Sequence, residues 1–209
     1  MNKNILQQFH KENQDEVGLD EAGRGCLFGP VCVAGVIWPD KDPDETIILK
    51  DSKKCSEKYR NKCYDYIINN AKSYSIQLIH HDEIDKKNIL KCSLDGMHSC
   101  LDDISSNHNI DMILVDGNHF PIYYSKEKDE FINHTCVIKG DNKYKSIAAA
   151  SILAKTYRDN YIYNLVEENP ELKKYDIQNN KGYGTKKHMD AIKEFGITKW
   201  HRKTFGPCK

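Results

Sequence analysis

The chain predicts an α/β domain built on a mixed five-stranded sheet flanked by helices. Five short stretches read as strands: four are apolar runs bounded by glycine, proline or an acidic residue, and one, 74–80, alternates. Two long stretches carry apolar residues at helical spacing. The order is two strands, helix, strand, helix, strand, loop, strand, helix, which interleaves the two element types as an α/β fold requires. Residues 1–170 are expected to form the domain body, and residues 171–209 a basic helical segment packed on it.

Taken in order, residues 1–15 are polar and predict a short helix or loose arm. A strand follows at 17–21, then Asp20-Glu21, the glycine-framed Gly23-Arg24-Gly25, the turn Gly29-Pro30 and a second strand at 31–38. Side chains alternate along a strand, so Asp20 and Glu21 share one site only if the strand ends or bends between them. The glycines supply that bend and let a ligand's backbone come close. Residues 40–45 read as a surface loop. Ser56 caps a helix whose apolar face is Tyr59, Cys63, Tyr66 and Ile67. Residues 74–80 alternate as a third strand. Leu90, Leu94, Met97, Leu101 and Ile104 predict an amphipathic helix over 89–105. Residues 111–116 form a short buried strand ending in Asp116 and stopped by Gly117-Asn118. Residues 119–133 read as a loop, and 134–139 as a fifth strand ending at Gly140-Asp141. A long helix over 145–168 presents Ile147, Ala150, Ala154, Tyr157, Tyr161 and Leu165 on one face and closes at Pro170. Thr185 caps a last helix over 186–195, stopped by Gly196.

Composition narrows the class. The 209 residues are 39% hydrophobic and 30% charged, which fits a globular domain large enough for a sizeable core. The N-terminus has no apolar core of signal-peptide length, and no later stretch approaches the roughly 18 apolar residues of a spanning helix. A cytoplasmic protein with no membrane association is expected. None of the eight cysteines forms a Cys-x-x-Cys pair, so a zinc ribbon is excluded and the cysteines are expected mostly as small core residues. Formal net charge is zero but uneven. Residues 172–209 hold ten Lys/Arg against three acids, a net of +7. An acidic body beside a basic segment suits a metal site next to a polyanion-binding surface.

Three of the apolar runs end in acids: Asp20-Glu21, Asp116 and Asp141. A single strand-terminal aspartate is usually only a turn-former. If those strands are neighbours, four carboxylates converge at one sheet edge, and they cannot all stay ionised without a counter-charge. All-oxygen ligation selects hard ions, Mg²⁺ or Mn²⁺. Two such ions about 4 Å apart can clamp a phosphodiester between an activated water and the leaving oxygen.

The ordered motifs then carry a resemblance. Gly18-Leu-Asp-Glu-Ala-Gly-Arg-Gly25 with Gly29-Pro30, Asp51-Ser-Lys-Lys54, Val115-Asp-Gly-Asn118, Lys139-Gly-Asp141, the run from Ser146 to Asp159, Gly182-Tyr-Gly-Thr185 with His188, and His201-Arg-Lys-Thr-Phe205 together span almost the whole chain. In this set the chain resembles ribonuclease HII, the type 2 ribonuclease H family. The resemblance implies the ribonuclease H-like fold. It also implies metal-dependent hydrolysis of the RNA strand of RNA–DNA hybrids and incision at single ribonucleotides in duplex DNA, leaving 5′-phosphate and 3′-hydroxyl ends. Carried over by position, the metal-binding acids are Asp20, Glu21, Asp116 and Asp141. Asp159 lies in a matched segment but sits about 20 Å of helix rise beyond the helix start, so Lys155, Arg158 and Asp159 are read as helix-surface or packing partners.

Choosing ribonucleotides requires sensing the 2′-hydroxyl. The resemblance assigns this to Gly23-Arg24-Gly25 and sets Tyr183 against the deoxyribose at the RNA–DNA junction. Arg24 is a further candidate for phosphate contact. Phosphate grip is expected from Lys53, Lys54, Lys186, Lys187, Arg202 and Lys203, with Ser52 and Thr185 as hydroxyl donors; such contacts position a duplex without reading sequence. Trp200 is read as packing rather than base stacking. Two departures from the family pattern, Cys55 for leucine and Thr204 for serine, leave the acids untouched. No sliding-clamp motif is present, so no protein partner is expected and the chain is read as a monomer. A junction resolvase of the same fold would share the acids without needing Gly23-Arg24-Gly25 and Tyr183. A catalytically silent hybrid-binding module would not need all four acids.

Overall fold

The computed structural model describes residues 6–44 and 46–209. Its central sheet runs β3-β2-β1-β4-β7. Here β1 is Glu16–Ala22, β2 Val31–Ile37, β3 Ser73–Ile79, β4 Met112–Asp116 and β7 His134–Val137. The strands β1, β2 and β3 pair antiparallel, as their short connections allow; β4 and β7 join β1 in parallel through crossovers. All seven residues of β2 are buried, which marks it as an interior strand covered on both faces.

The two faces follow the alternation of side chains. Cys32, Ala34 and Val36 of β2 pack against Ala148–Ala150, Ile152, Leu153 and Ala154 of helix α4, Lys145–Glu168. On the opposite face Val33 and Ile37, with Val17 and Leu19 of β1, meet Met97, Cys100, Leu101 and Ile104 of α3, Ile89–Ser105. Small residues let α4 lie close to the sheet. A Cβ at Gly18 would stand 2.3 Å from the Ser146 carbonyl carbon, so the first turn of α4 rests on β1 backbone. Helix α1, Glu57–Asn70, covers α4 through Cys63, Tyr66 and Ile67.

The C-terminal segment carries a 3₁₀ turn at Pro170–Tyr175, the short helix α5 at Ile177–Asn180, and α6 at Lys186–Phe195, which Thr185 caps by accepting from the His188 amide. Leu172, Tyr175, Ile177, Ala191, Ile192 and Cys208 pack on Ile162, Leu165 and Val166 of α4 and on Leu27 and Phe28 of the β1–β2 loop. The tail therefore bears directly on the glycine-framed loop. All eight cysteines are free; Cys136 is half-buried and the others are buried.

The structure departs from, or adds to, the local expectations at four places. Residues 6–15 form no helix; Gln7 instead bridges Lys143 and Lys145 by backbone hydrogen bonds of 2.7 and 3.0 Å, and residues 1–5 lie outside the described residues, as does Glu45 of the 40–45 loop. Helix α2, His81–Lys87, follows β3; it buries only Ile84, so it leaves no periodic signal. Within 119–133 a hairpin forms from β5, Tyr123–Ser125, and β6, Glu130–Ile132. Strand β7 stops at Val137 because Lys139 turns left-handed, φ 56° and ψ 46°, which places Asp141 on a 3₁₀ turn at Gly140–Asn142 rather than at a strand end. Among the described residues no helix is long and apolar enough to cross a membrane.

Candidate active site

The acids sit where the parallel strands part. Strand β1 pairs with β4 only as far as Leu19 opposite Val115, while its pairing with β2 continues unbroken to Ala22 opposite Cys32. The bend expected between Asp20 and Glu21 is therefore absent and the turn comes after Ala22; the two carboxyls still interact at the strand end, where the charge of Glu21 raises Asp20. A fork opens beyond Leu19, with Asp20 and Glu21 on one branch and Asp116, the last residue of β4, on the other. This is the carboxyl end of the parallel strands, where open α/β sheets place ligands.

Electrostatics tie the acids together. Burial pushes the Asp20 carboxyl well above the usual carboxylate range, and the charges of Asp116 and Glu21 push it further. Glu21 is raised by burial, with the Arg24 guanidinium opposing and Asp116 adding to the rise. Asp141 is raised by burial, with the charges of Asp51 and Asp116 adding to it. Asp51 is the counterweight. Burial opposes its charge, but the Lys53 amide, the Asn142 amide and the lysines at 53 and 54 hold its carboxyl below the usual range.

Each carboxylate is meanwhile held by a protein donor. The Glu21 N–H donates to Asp20 Oδ1 at 2.7 Å, and Arg24 Nη1 to Glu21 Oε1 at 3.2 Å. The Gly140 N–H donates to Asp116 Oδ1 at 2.7 Å, and Asn142 Nδ2 to Asp141 Oδ1 at 2.9 Å. In this arrangement no three His, Cys, Asp or Glu side chains among the described residues close around a common point as a metal site. The donor set nonetheless fits a hard divalent ion. It is all oxygen, its charges repel one another, and Glu21, Asp116 and Asp141 each keep a second oxygen that accepts no hydrogen bond from the described residues. Asp20, Glu21, Asp116 and Asp141 are the residues that could hold Mg²⁺ or Mn²⁺.

An open cleft of about 690 Å³ leads to this point, lined by Asp51, Lys53, Lys54, Asp116, Asn118, Ile138, Lys139, Asp141 and Asn142 among others. Lys53 and Lys54 are exposed on it, and Lys54 Nζ reaches the Asn142 side chain. Beside it Gly23-Arg24-Gly25 forms a tight turn, closed by the Cys26 N–H on the Gly23 carbonyl at 3.3 Å. The Gly182–Thr185 turn is stitched alongside: Leu27 N–H donates to the Gly182 carbonyl at 2.8 Å, and Cys26 bridges Tyr183. Tyr183 is 40% exposed. Partial burial pushes its phenol up to about 12, so it stays a hydrogen-bond donor at neutral pH. Thr185 is exposed, as are Lys186 and Lys187, which pair with Asp190 and Asp176.

Two expected substrate contacts are corrected. Arg202 is fully buried and donates to the carbonyl oxygens of Gly29, Arg24 and Gly23 at 2.9, 2.9 and 2.8 Å; as placed it reaches no phosphate. Ser52 is buried and its hydroxyl meets Ser151 Oγ at 3.0 Å, so it braces the α4 hydroxyl beside Asp20 instead of facing the cleft. Trp200 packs against Phe28. Asp159 lies in its own ion-pair cluster, 3.1 Å from Arg60 and 2.7 Å from Lys155. Asp51, Asn142, Ser151 and Arg158 were not singled out as site residues from the sequence. For Asp51 the signal was present, since it opens a motif that ends in the two cleft lysines.

Comparison with known proteins agrees with the motif resemblance. A family profile described as ribonuclease HII matches residues 17–208. Ribonuclease HII of Bacteroides thetaiotaomicron is 48% identical over 201 residues, covering 96% of this chain and 94% of that protein. Ribonuclease HII of Christiangramia forsetii is 45% identical over 197 residues, covering 94% and 93%. Among solved structures, ribonuclease HII from the PCNA complex of Archaeoglobus fulgidus superposes with a TM-score of 0.71 at 25% identity, covering 93% of this chain and 96% of that one. Ribonuclease H2 of Pyrococcus horikoshii gives 0.70 at 24% identity, over 92% and 94%, which speaks for the fold alone. With the matching fold, an acidic fork and an adjoining glycine shelf, this chain belongs to the ribonuclease HII family of nucleases.

Proposed function

We propose that this enzyme hydrolyses the RNA strand of RNA–DNA hybrids and also cuts 5′ of single ribonucleotides embedded in duplex DNA, leaving 5′-phosphate and 3′-hydroxyl ends. The observation that carries this reading is the placing of Asp20, Glu21 and Asp116 at one strand fork, with Asp141 electrostatically coupled to Asp116 and the Gly23-Arg24-Gly25 turn bonded to Glu21.

Asp20, Glu21, Asp116 and Asp141 would hold two divalent ions, Mg²⁺ or Mn²⁺. When bound, such a pair supplies an activated water and neutralises charge on the leaving oxygen. The protein's own part is positioning. Lys53 and Lys54 grip phosphate at the cleft rim, and the exposed Lys186 and Thr185 extend that contact along the duplex. The glycine turn admits a ribose to its backbone. Tyr183, with its ring half covered and its hydroxyl protonated, meets the sugar on the 3′ side. Residues 171–209 act as part of the same domain, since their apolar side chains seat the Tyr183 turn against the glycine loop.

The test is cleavage, with Mn²⁺ and with Mg²⁺, of a duplex carrying one ribonucleotide, of a long RNA–DNA hybrid, and of an all-DNA control. Cutting of the first two and sparing of the third is expected. Equal cutting of the ribonucleotide duplex and the control would overturn the reading in favour of a general nuclease.

A further inference from the structure

Beneath the glycine turn lie two fully buried arginines that have no carboxylate partner among the described residues. Arg158 of α4 donates through Nε to the Pro30 carbonyl at 2.8 Å, through Nη2 to Phe28 at 3.1 Å and through Nη1 to Lys181 at 2.9 Å. It spans the β1–β2 loop and the residue that ends α5 and leads into the Tyr183 turn. Arg202 takes the other half of the loop, with Nε on the Gly29 carbonyl, Nη1 on Arg24 and Nη2 on Gly23. Burial brings Arg202 down to about 10, so it remains charged at neutral pH. An arginine placed under a loop without a carboxylate partner, with its donors spent on carbonyls, is an expensive arrangement for simple packing.

Its consequence for the loop is directional. In a trans peptide the C=O and the N–H point opposite ways. The Gly23 carbonyl shares its peptide with the Arg24 N–H, and the Arg24 carbonyl shares its peptide with the Gly25 N–H. With both carbonyls held inward by one guanidinium, both N–H groups face outward. Neither finds an acceptor among the described residues, and Arg24 and Gly25 are exposed. Gly23 sits at φ +92°, and a Cβ there would stand 2.1 Å from Arg158 Nε, so Arg158 also dictates why only glycine opens this turn. Two successive outward amides form a small nest for an electronegative atom.

We propose that Arg202 is a positioning residue for ribose recognition: by drawing the Gly23 and Arg24 carbonyls inward it presents the Arg24 and Gly25 amides as paired donors to a ribose 2′-oxygen. This rests on the ribonucleotide-directed reading given above. Lysine at 202 keeps the charge, but an ammonium on a flexible stem lacks the fixed fork of donors that holds the three carbonyls here.

The test compares duplexes carrying one ribonucleotide or one 2′-fluoro nucleotide at the same position, which differ at the 2′ substituent but not in phosphate. The unaltered protein should cut the ribonucleotide at least ten-fold faster. In Arg202→Lys that preference should collapse towards one, with kcat on the ribonucleotide down at least ten-fold and KM within two-fold. A variant that slows on both substrates in proportion, keeping the preference, would overturn the proposal and leave Arg202 a structural residue. A second pair addresses the amide itself and serves where Arg202→Lys fails to fold. Arg24→Ala and Arg24→Pro both remove the side chain, but only proline removes the N–H, and position 24 is the second residue of the turn, where proline is favoured. Loss of the preference in Arg24→Pro but not in Arg24→Ala supports the proposal; equal preference in both overturns it. Equal cutting of an all-DNA duplex by the unaltered protein would instead remove the ribonucleotide reading, and this inference with it.

Discussion

His188 Nε2 lies 3.1 Å from His201 Nε2, both rings are fully buried, and their neighbours fix where every proton sits. His188 Nδ1 is 2.9 Å from the Tyr183 carbonyl and must donate to it. Its Nε2 is therefore an acceptor, and His201 must supply the shared proton. His201 Nδ1 then accepts from the Thr198 amide at 2.9 Å. The chain of bonds runs from Thr198 through both rings to the backbone of Tyr183, and it exists only while both histidines are neutral.

Acid should break this relay, and the sign follows from linkage. Burial lowers both histidines, His201 to about 4, with the charge of the neighbouring ring adding to the effect. The unfolded chain takes up these protons near its ordinary pKa of about 6.5. Stability should therefore be full above that value and decline as pH falls from about 6.5 to about 4, by at most about 3 kcal/mol for His201. Denaturant melts at pH 7 and pH 4 measure the loss. In His201→Gln, which keeps an amide donor for His188, the pH-dependent loss should shrink by at least half; an undiminished loss would show that other groups carry it.

Asp116→Asn should abolish cleavage and spare the fold. Asparagine retains an oxygen for the Gly140 amide, which Asp116 now accepts at 2.7 Å, and the side chain is only half-buried. What it loses is a charge at the strand fork. Metal-assisted stabilisation is worth several kcal/mol, so a fall on the order of 10³-fold in kcat is expected. Melting temperature should change by only a few degrees. Intact Mn²⁺-dependent cleavage would remove Asp116 from the site.

Binding of Mn²⁺ should be unusually sensitive to mild acid. Asp20, Glu21 and Asp141 hold their protons above the usual carboxylate range because of burial, with the charge of Asp116 adding to the rise in each. An ion must displace those protons, so affinity falls as pH is lowered and binding releases protons. Calorimetry in two buffers of different ionisation heat should show proton release that grows from pH 7 to pH 5. The same ion should raise the melting temperature at neutral pH, and that shift should vanish in Asp116→Asn.

The parts of this site that were legible in the chain are those that punctuate a pattern. Asp20-Glu21 and Asp116 end apolar runs, and the glycines at 23 and 25 interrupt one, so a break in periodicity gave each of them away. Arg202 gave no such signal. It sits in a basic stretch, and charge counting cannot tell a solvated cation from one that spends its donors on three carbonyls 173 to 179 residues away. Ser52 misled in the same way, because its partner Ser151 lies on a different element. Helix α2 and the 123–132 hairpin escaped because each buries too few side chains to leave a period. Long-range pairing, not local propensity, decided these residues.

The substitution that best separates the acidic fork from its imitation is Asp159→Asn. Asp159 lies in a motif as well matched as that of Asp141, yet its carboxylate is buried between Arg60 and Lys155. Arg60 Nε already lacks a partner, so neutralising Asp159 leaves a buried guanidinium uncompensated. Breaking a buried pair in this way costs about 3 to 5 kcal/mol. Asp159→Asn should therefore lower stability sharply while the folded fraction cuts within a few-fold of the unaltered rate. Asp141→Asn should do the reverse, since removing a charge from a cluster that repels itself relieves strain in the metal-free protein. A denaturant series paired with cleavage of a single-ribonucleotide duplex reads both quantities. If Asp159→Asn abolishes cutting at full stability, the metal ligands have been assigned to the wrong end of α4.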